Sequence, residues 1–213
     1  MSVKRYTLFI LYNHLTKEKT MKKSTIIIIV VAVIAVIWGI SGYNGLVSMD
    51  EGVQTKWADV ETQYQRRADL IPNLVNTVKG YAAHESETLQ AVVEARAKAT
   101  SMNIDPSNMS AEQIANFQKA QDGVSSALSR LLVTVEKYPD LKANENFKEL
   151  QVQLEGTENR ISVARRDYNE SARKYNTTLR SFPKNILAGM FGFEKKAYFE
   201  AQEGSEQAPT VQF

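Results

Sequence analysis

The sequence predicts an all-α protein, an antiparallel bundle of long helices behind one N-terminal transmembrane helix. Three observations carry this. Ile26 to Ile40 reads IIIIVVAVIAVIWGI, and no charged residue stands between Lys23 and Asp50. Beyond Asp50, apolar residues recur three or four apart through long stretches, the spacing that lays one stripe along a helix. No stretch of the body reads as a run of alternating strands.

The chain opens with MSVKRYTLFILYNHLTKEKT, which has no clear period and no cap signals. Met21-Lys22-Lys23 before an apolar run resembles the start of a membrane protein. Translation is therefore expected to begin at Met21, with residues 1–20 a non-native or disordered extension. A bilayer core takes about 20 predominantly apolar residues, and Thr25 to Val47 supplies them. A removable signal peptide would be shorter and end in a small-residue cleavage site. Here the run leads to Trp38 and Tyr43, aromatics suited to a membrane interface, and a retained anchor is expected over 24–47. Lys17, Lys19, Lys22 and Lys23 precede the span, and Asp50 and Glu51 follow it. The positive-inside tendency then places the N-terminus in the cytoplasm and the larger domain outside.

Composition removes several classes of function. The chain has 213 residues, no cysteine and a formal net charge of +2. After the anchor there is room for one domain. Disulfides, thiolate metal sites and a cysteine nucleophile are unavailable. Lysine plus arginine at 26 against aspartate plus glutamate at 24 leaves no nucleic-acid footprint. Only His14 and His84 are present, so a histidine metal site or triad is nearly excluded, and no cofactor is expected.

The bundle is expected over 48–182. Ser48 to Glu51 fits a capping box. Val53, Trp57, Val60, Tyr64, Ala68, Ile71, Leu74, Val78 and Tyr81 then form one stripe. Pro72 interrupts it, either as a kink or in the first turn of a new helix capped by Asp69. Leu89, Val92, Val93 and Ala95 continue the pattern. MNIDPSNM, Met102 to Met109, is a turn cluster. Ser110 to Gln113 is a second capping box, opening a helix with Ile114, Phe117, Gln121, Val124, Leu128, Leu131, Val135 and Tyr138 at its seam, stopped by Pro139. A third long segment starts near Asn144 and keeps a period close to 3.5 from Phe147 to Leu179, which favours shallow helix crossings.

On the polar side, Arg166, Glu170 and Lys174 are spaced for surface pairing. Arg160, Arg165, Arg166 and Arg173 have the look of an anion strip, but a solvated face of ordinary ion pairs is the preferred explanation. Trp57 and the seam tyrosines are expected in the core. The candidate partner-binding residues are Gln65, Arg66, Arg67, Asp69, Pro72 and Asn73, a dense polar set around Pro72. The competing explanation is capping and pairing, for instance Arg66 with Asp69. His84-Glu85 lacks the second histidine of a zincin, and neither a phosphate loop nor a nucleophile elbow is present.

Three stretches carry a family resemblance: YNGLVSMDEGVQTKWADVETQYQRRADLIPNLVNTVKGYAAHE (Tyr43 to Glu85), LSRLLVTVEKYPDLKANENFKELQVQLEGTENRISVARRDYN (Leu128 to Asn169) and YNTTLRSFPKNILAGMFGFEKKAYFEA (Tyr175 to Ala201). They resemble the bacterial LemA family over essentially all of 43–213. The resemblance implies an N-terminal membrane helix, a bromodomain-like four-helix bundle and no assigned catalytic residues. It implies a gene neighbourhood shared with membrane metalloproteases, and from that envelope quality control as a setting. Family members have also been drawn with the N-terminus outside, opposite to the charge pattern, and the charge-based orientation is kept here.

Two functions follow. The first is a non-enzymatic scaffold or adaptor anchored in the bacterial cytoplasmic (inner) membrane, positioning protein partners near the bilayer. The second is an enzyme with a hydrolytic site built from carboxylates and arginine. Unpaired carboxylates converging in a cleft favour the enzyme, and a filled core with surface ion pairs favours the scaffold. The segment 183–213 is expected to cap the bundle's end through Ile186, Leu187, Met190, Phe191, Phe193, Tyr198 and Phe199. If Pro72 only kinks one helix, three segments leave this tail far from lipid. A hairpin at Pro72 or Gly80 gives four and returns it to the membrane surface. Beyond lies EGSEQAPTVQF, whose end, with Val211 and Phe213, suits strand addition to a PDZ-type domain.

Overall fold

A computed structural model describes residues 22–200 apart from Asn108, and within them every regular element is a helix. The elements are α1 (Lys23–Tyr81), α2 (Ser86–Thr100), α3 (Ala111–Val135), α4 (Pro139–Ala143), α5 (Glu145–Arg180) and α6 (Lys184–Phe191). The expected extension 1–20 and the tail with Val211 and Phe213 lie outside the described residues.

The chain divides into two compact units, Met1–Tyr43 and Asn44–Phe213. In the first, the described part is the apolar start of α1, long and apolar enough to cross a membrane, with Ile27, Ile28, Ile34 and Ile37 all more than half exposed. A soluble core helix of this composition would be buried.

The second unit is the bundle. Its first helix is the rest of α1, with no new helix start at Ser48; because the backbone is already helical there, the expected capping box has no free N–H groups to serve. Leu46, which the apolar run 24–47 had included, is fully buried in the bundle core. Pro72 lies inside α1 and is no boundary. The chain turns instead at 82–85, just past Gly80, so the bundle is built of four long segments. Arg96 of α2 meets Ala68, Arg67 meets Gln121 of α3, and Trp57 meets Tyr168 of α5. Along α1 the contacts to α3 advance together, Tyr64 with Phe117 and then Arg67 with Gln121. Those to α5 run in reverse, Trp57 with Tyr168 and then Arg67 with Glu158. The 82–85 turn reverses α2, so α2 and α5 are antiparallel to α1 and α3, a four-helix bundle.

Local signals explain the remaining ends. Ser110 caps α3 as expected: the Gln113 N–H donates to Ser110 Oγ at 3.1 Å, and the Ser110 N–H donates to Gln113 Oε1 at 2.8 Å. Pro139 occupies the first turn of α4, and Asn144 caps α5 by accepting from the Phe147 N–H at 3.0 Å. Gly192 closes α6 at φ 72°, a left-handed value that costs glycine little.

The core forms two apolar clusters. One, at the end where the chain enters the unit, gathers Leu46, Trp57, Tyr168, Tyr175 and Phe199. The other, towards the 82–85 turn, gathers Ile71, Leu74, Leu131, Phe147 and Leu154. Trp57 stacks on Phe199 at 5.7 Å between ring centroids and meets Phe117 at 5.3 Å. Tyr64, Tyr168 and Tyr175 are core as expected, whereas Tyr81, at the end of α1, is exposed. Of the residues expected to cap the bundle's end, Leu187 and Phe199 are buried and Phe193 packs against the core, but Ile186, Met190, Phe191 and Tyr198 are exposed. After α6, residues 193–200 run back along α5 as an extended strap, and Phe199 enters the core beside Trp57.

Candidate functional site

An α-helix turns about 100° per residue, so Gln65, Asp69, Pro72 and Asn73 share a face with Arg66 beside them, whereas Arg67 points the other way. The structure obeys this geometry. Gln65, Arg66, Asp69, Pro72 and Asn73 are exposed on one side of α1, and Arg67 is buried in the bundle. On the outer face Gln65 Nε2 donates to Asp69 Oδ1 at 2.7 Å, taking the role expected of Arg66. The five residues form a polar surface on a continuous helix, with no helix break beneath them.

Arg67 has gone inward because the bundle provides for its charge. Nη1 donates to Ser125 Oγ at 2.8 Å and to Glu158 Oε1 at 2.5 Å. Nη2 donates to the Gln121 backbone oxygen at 3.1 Å and to Gln121 Oε1 at 2.6 Å. The guanidinium also lies 5.0 Å from the Tyr64 ring centroid. Burial pushes the Tyr64 hydroxyl pKa up, and the nearby Arg165 and Arg67 charges oppose that shift. Removing a charge from water is costly, and the planar fork meets that cost by engaging two helices at once.

One residue absent from the sequence expectations completes this region. Pro72 has no N–H, so the Ala68 carbonyl, four residues earlier, loses its helical partner. Arg96 Nε donates to that oxygen at 2.7 Å from α2. The signal was legible only in part, since a mid-helix proline announces an orphan carbonyl but not which side chain will reach it. Glu61, Gln65, Arg67 and Arg96 border a cavity of about 100 Å³ here, below the roughly 300 Å³ at which small-molecule pockets begin.

A second polar group lies at the entry end. Lys196 is buried, with Nζ 2.8 Å from Asp50 Oδ1 and 3.3 Å from the Ser107 carbonyl oxygen. The Tyr175 hydroxyl is pushed up to about 12 by burial first, then by the Asp50 carboxylate. These groups border a cavity of about 350 Å³ together with Gly192 and Phe193. Asp50, read in sequence as part of a cap and a topology marker, is therefore an internal counter-ion. The strap is held by amide side chains. Asn176 pairs with both backbone groups of Lys196 at 2.8 and 2.9 Å, and Asn169 with both of Phe199 at 2.9 Å. An extended segment without a sheet neighbour thereby satisfies its backbone.

The surface arginines divide. Arg165 is committed to the strap, with Nη2 donating to the Glu200 carbonyl oxygen at 2.9 Å and the guanidinium 4.9 Å from the Phe199 ring centroid. Lys174 pairs with Glu170 at 3.0 Å, as the spacing predicts. Among the described residues no group of three or more potential metal ligands occurs.

Fold and site together define a helical-bundle protein associated with membranes, its first helix carrying an apolar stretch of spanning length. The family model for the LemA family matches residues 56–213, and the chain belongs to that family. It is 29% identical over 181 residues to the magnetosome protein MamQ 2 of Paramagnetospirillum magneticum and 28% identical over 181 residues to MamQ of Magnetospirillum gryphiswaldense. Each match spans 77% of this chain and 66% of the relative, just under two thirds of its length. It is also 24% identical over 160 residues to the protein LemA of Metamycoplasma hominis, across 75% of this chain and 69% of that one.

Proposed function

We propose that this chain is a single-pass, non-enzymatic scaffold of the bacterial cell envelope, holding protein partners near the cytoplasmic membrane with its bundle on the non-cytoplasmic side. The observation that carries this is α1. One uninterrupted helix bears the exposed apolar run 26–40 and then, from Leu46 to Val78, the central stripe of the bundle core. The anchor and the bundle core are thus consecutive in one helix, as a membrane-tethered positioning device requires. The outer face of Gln65, Arg66, Asp69, Pro72 and Asn73 is the proposed partner surface. A membrane metalloprotease is the proposed partner class, in a quality-control setting. Relatives named for the magnetosome support a shared module working in more than one setting.

The scaffold is favoured over a hydrolase by how the buried charges are used. Arg67 is paired with Glu158 and Lys196 with Asp50, so each buried cation is matched by an acid and held in structure. Proximity labelling from the intact membrane protein tests the proposal, comparing the native chain with Arg66→Glu combined with Asp69→Lys. The expected result is loss of a discrete subset of labelled proteins at unchanged helical content. An unchanged set removes the face from consideration. A hydrolytic activity of the purified chain that disappears in Asp50→Asn overturns the scaffold in favour of the enzyme.

A further inference from the structure

Helix α6 is apolar on both sides. Towards the bundle it buries Leu187 and Ala188; outward, Phe182 just before it, then Ile186 and Met190, stand one turn apart and are 81%, 53% and 70% exposed. Asn185 and Gly189 on the same side bring no charge. Single exposed apolar residues are ordinary, as at Val152, which has Gln151, Gln153 and charged Glu149 and Glu155 around it. A stripe of three with no charge among them is different. A helix apolar all round normally lies in a core or in lipid.

Position within the bundle points to the occupant. Lys184 Nζ lies 3.9 Å from where a Cβ on Gly45 would stand, so α6 packs at the end where the chain enters this unit. Gly45 follows Ile40, the last residue of the apolar run, by five residues. Full extension spans at most about 3.6 Å per residue, so Gly45 itself lies within about 18 Å of Ile40 whatever path the backbone takes. Charge agrees: Arg180, Lys184 and Lys195 flank the stripe, with Glu194 the acid among them, which suits anionic headgroups.

We propose that Phe182, Ile186 and Met190 seat in the headgroup–acyl boundary of the bilayer, a second and interfacial membrane contact in addition to the spanning helix. This rests on α1 being the anchor. With two contacts the bundle is held in one attitude to the membrane and does not swivel on a single tether.

The absence of native cysteine makes the test direct. Single-cysteine variants of the full chain, Met190→Cys, Val152→Cys and Ile34→Cys, carry an environment-sensitive fluorophore in vesicles of phosphatidylethanolamine and phosphatidylglycerol, with or without lipid bearing a headgroup quencher. The label at Met190→Cys is expected to shift to the blue and lose most of its emission to the quencher, while that at Val152→Cys keeps a water-like spectrum. A label at 190 that behaves like the one at 152 overturns the proposal, as does one that is blue-shifted without quenching, which means protein covers the face. Ile34→Cys separates the two ideas: if its label remains in water the anchor itself fails, and if it is in lipid while 190 is not, only the interfacial contact fails.

Discussion

Arg67 shows how one residue organises the interior. Tyr64, one turn before it, belongs to the apolar cluster at the entry end, and Ile71, one turn after, belongs to the other. Between them the guanidinium fixes the register of α1 against Gln121, Ser125 and Glu158. Lysine at this position keeps the charge but has no fork to meet acceptors on two helices. Arg67→Lys is expected to destabilise the bundle by about 1–3 kcal/mol, the cost of leaving a buried polar group without its partner. Urea unfolding measures it, and an unchanged midpoint means the network has no structural weight. Tyr175 yields a pH dependence. Its hydroxyl pKa rises from the ordinary 10.0 to about 12 in the folded chain, so above pH 10 the unfolded state has lost a proton that the native state keeps. The stability that Tyr175 contributes is therefore fully present below pH 10 and is lost between pH 10 and about 12. Tyr175→Phe is expected to flatten that decline in thermal melts recorded across the window, and an identical slope would show that other groups govern it.

At the scale of elements, Pro72 and Arg96 form a coupled pair. Arg96→Ala leaves the Ala68 carbonyl without a donor and is expected to cost about 1–3 kcal/mol. In a Pro72→Ala background the restored N–H of residue 72 reaches that oxygen, so the same Arg96 change is expected to cost less. A double-mutant cycle by denaturation reads this coupling, and additive losses would rule it out. The pair also marks how far the sequence was legible. Period places Trp57, Leu131, Leu154 and Tyr168 in the core, and the capping box places Ser110 at a helix start, because these are local properties of a helix. Pro72 was ambiguous because kink and boundary share one local pattern, and a side chain 24 residues on resolves them. Arg67 was grouped with its neighbours by proximity in sequence, although helical geometry sends it inward. Lys196, Asn169 and Asn176 carried no sequence signal, since an extended strap bonded by amides has no period of its own.

For the whole molecule, the remaining question is which side of the membrane holds the bundle. Four lysines from Lys17 to Lys23 precede the apolar run, and none follows before Lys56. If translation begins at Met21, Lys22 and Lys23 still stand there, so the sign of the asymmetry survives the choice of start. The acidic residues after the span contribute little to orientation, and Asp50 is in any case occupied by Lys196. The expectation is a non-cytoplasmic bundle. A reporter active only in the cytoplasm, fused after Phe213, should remain silent, while one active only outside should work. Replacing Lys22 and Lys23 by glutamate in a chain starting at Met21 should weaken the preference and give signal from both reporters, because orientation then lacks its main determinant. Strong cytoplasmic activity from the native chain would reverse the topology, leaving both the anchor and the interfacial face of α6 in place on the opposite leaflet. That outcome would move the search for partners from the envelope's outer compartment to the cytoplasm without altering the surface on α1 proposed to meet them.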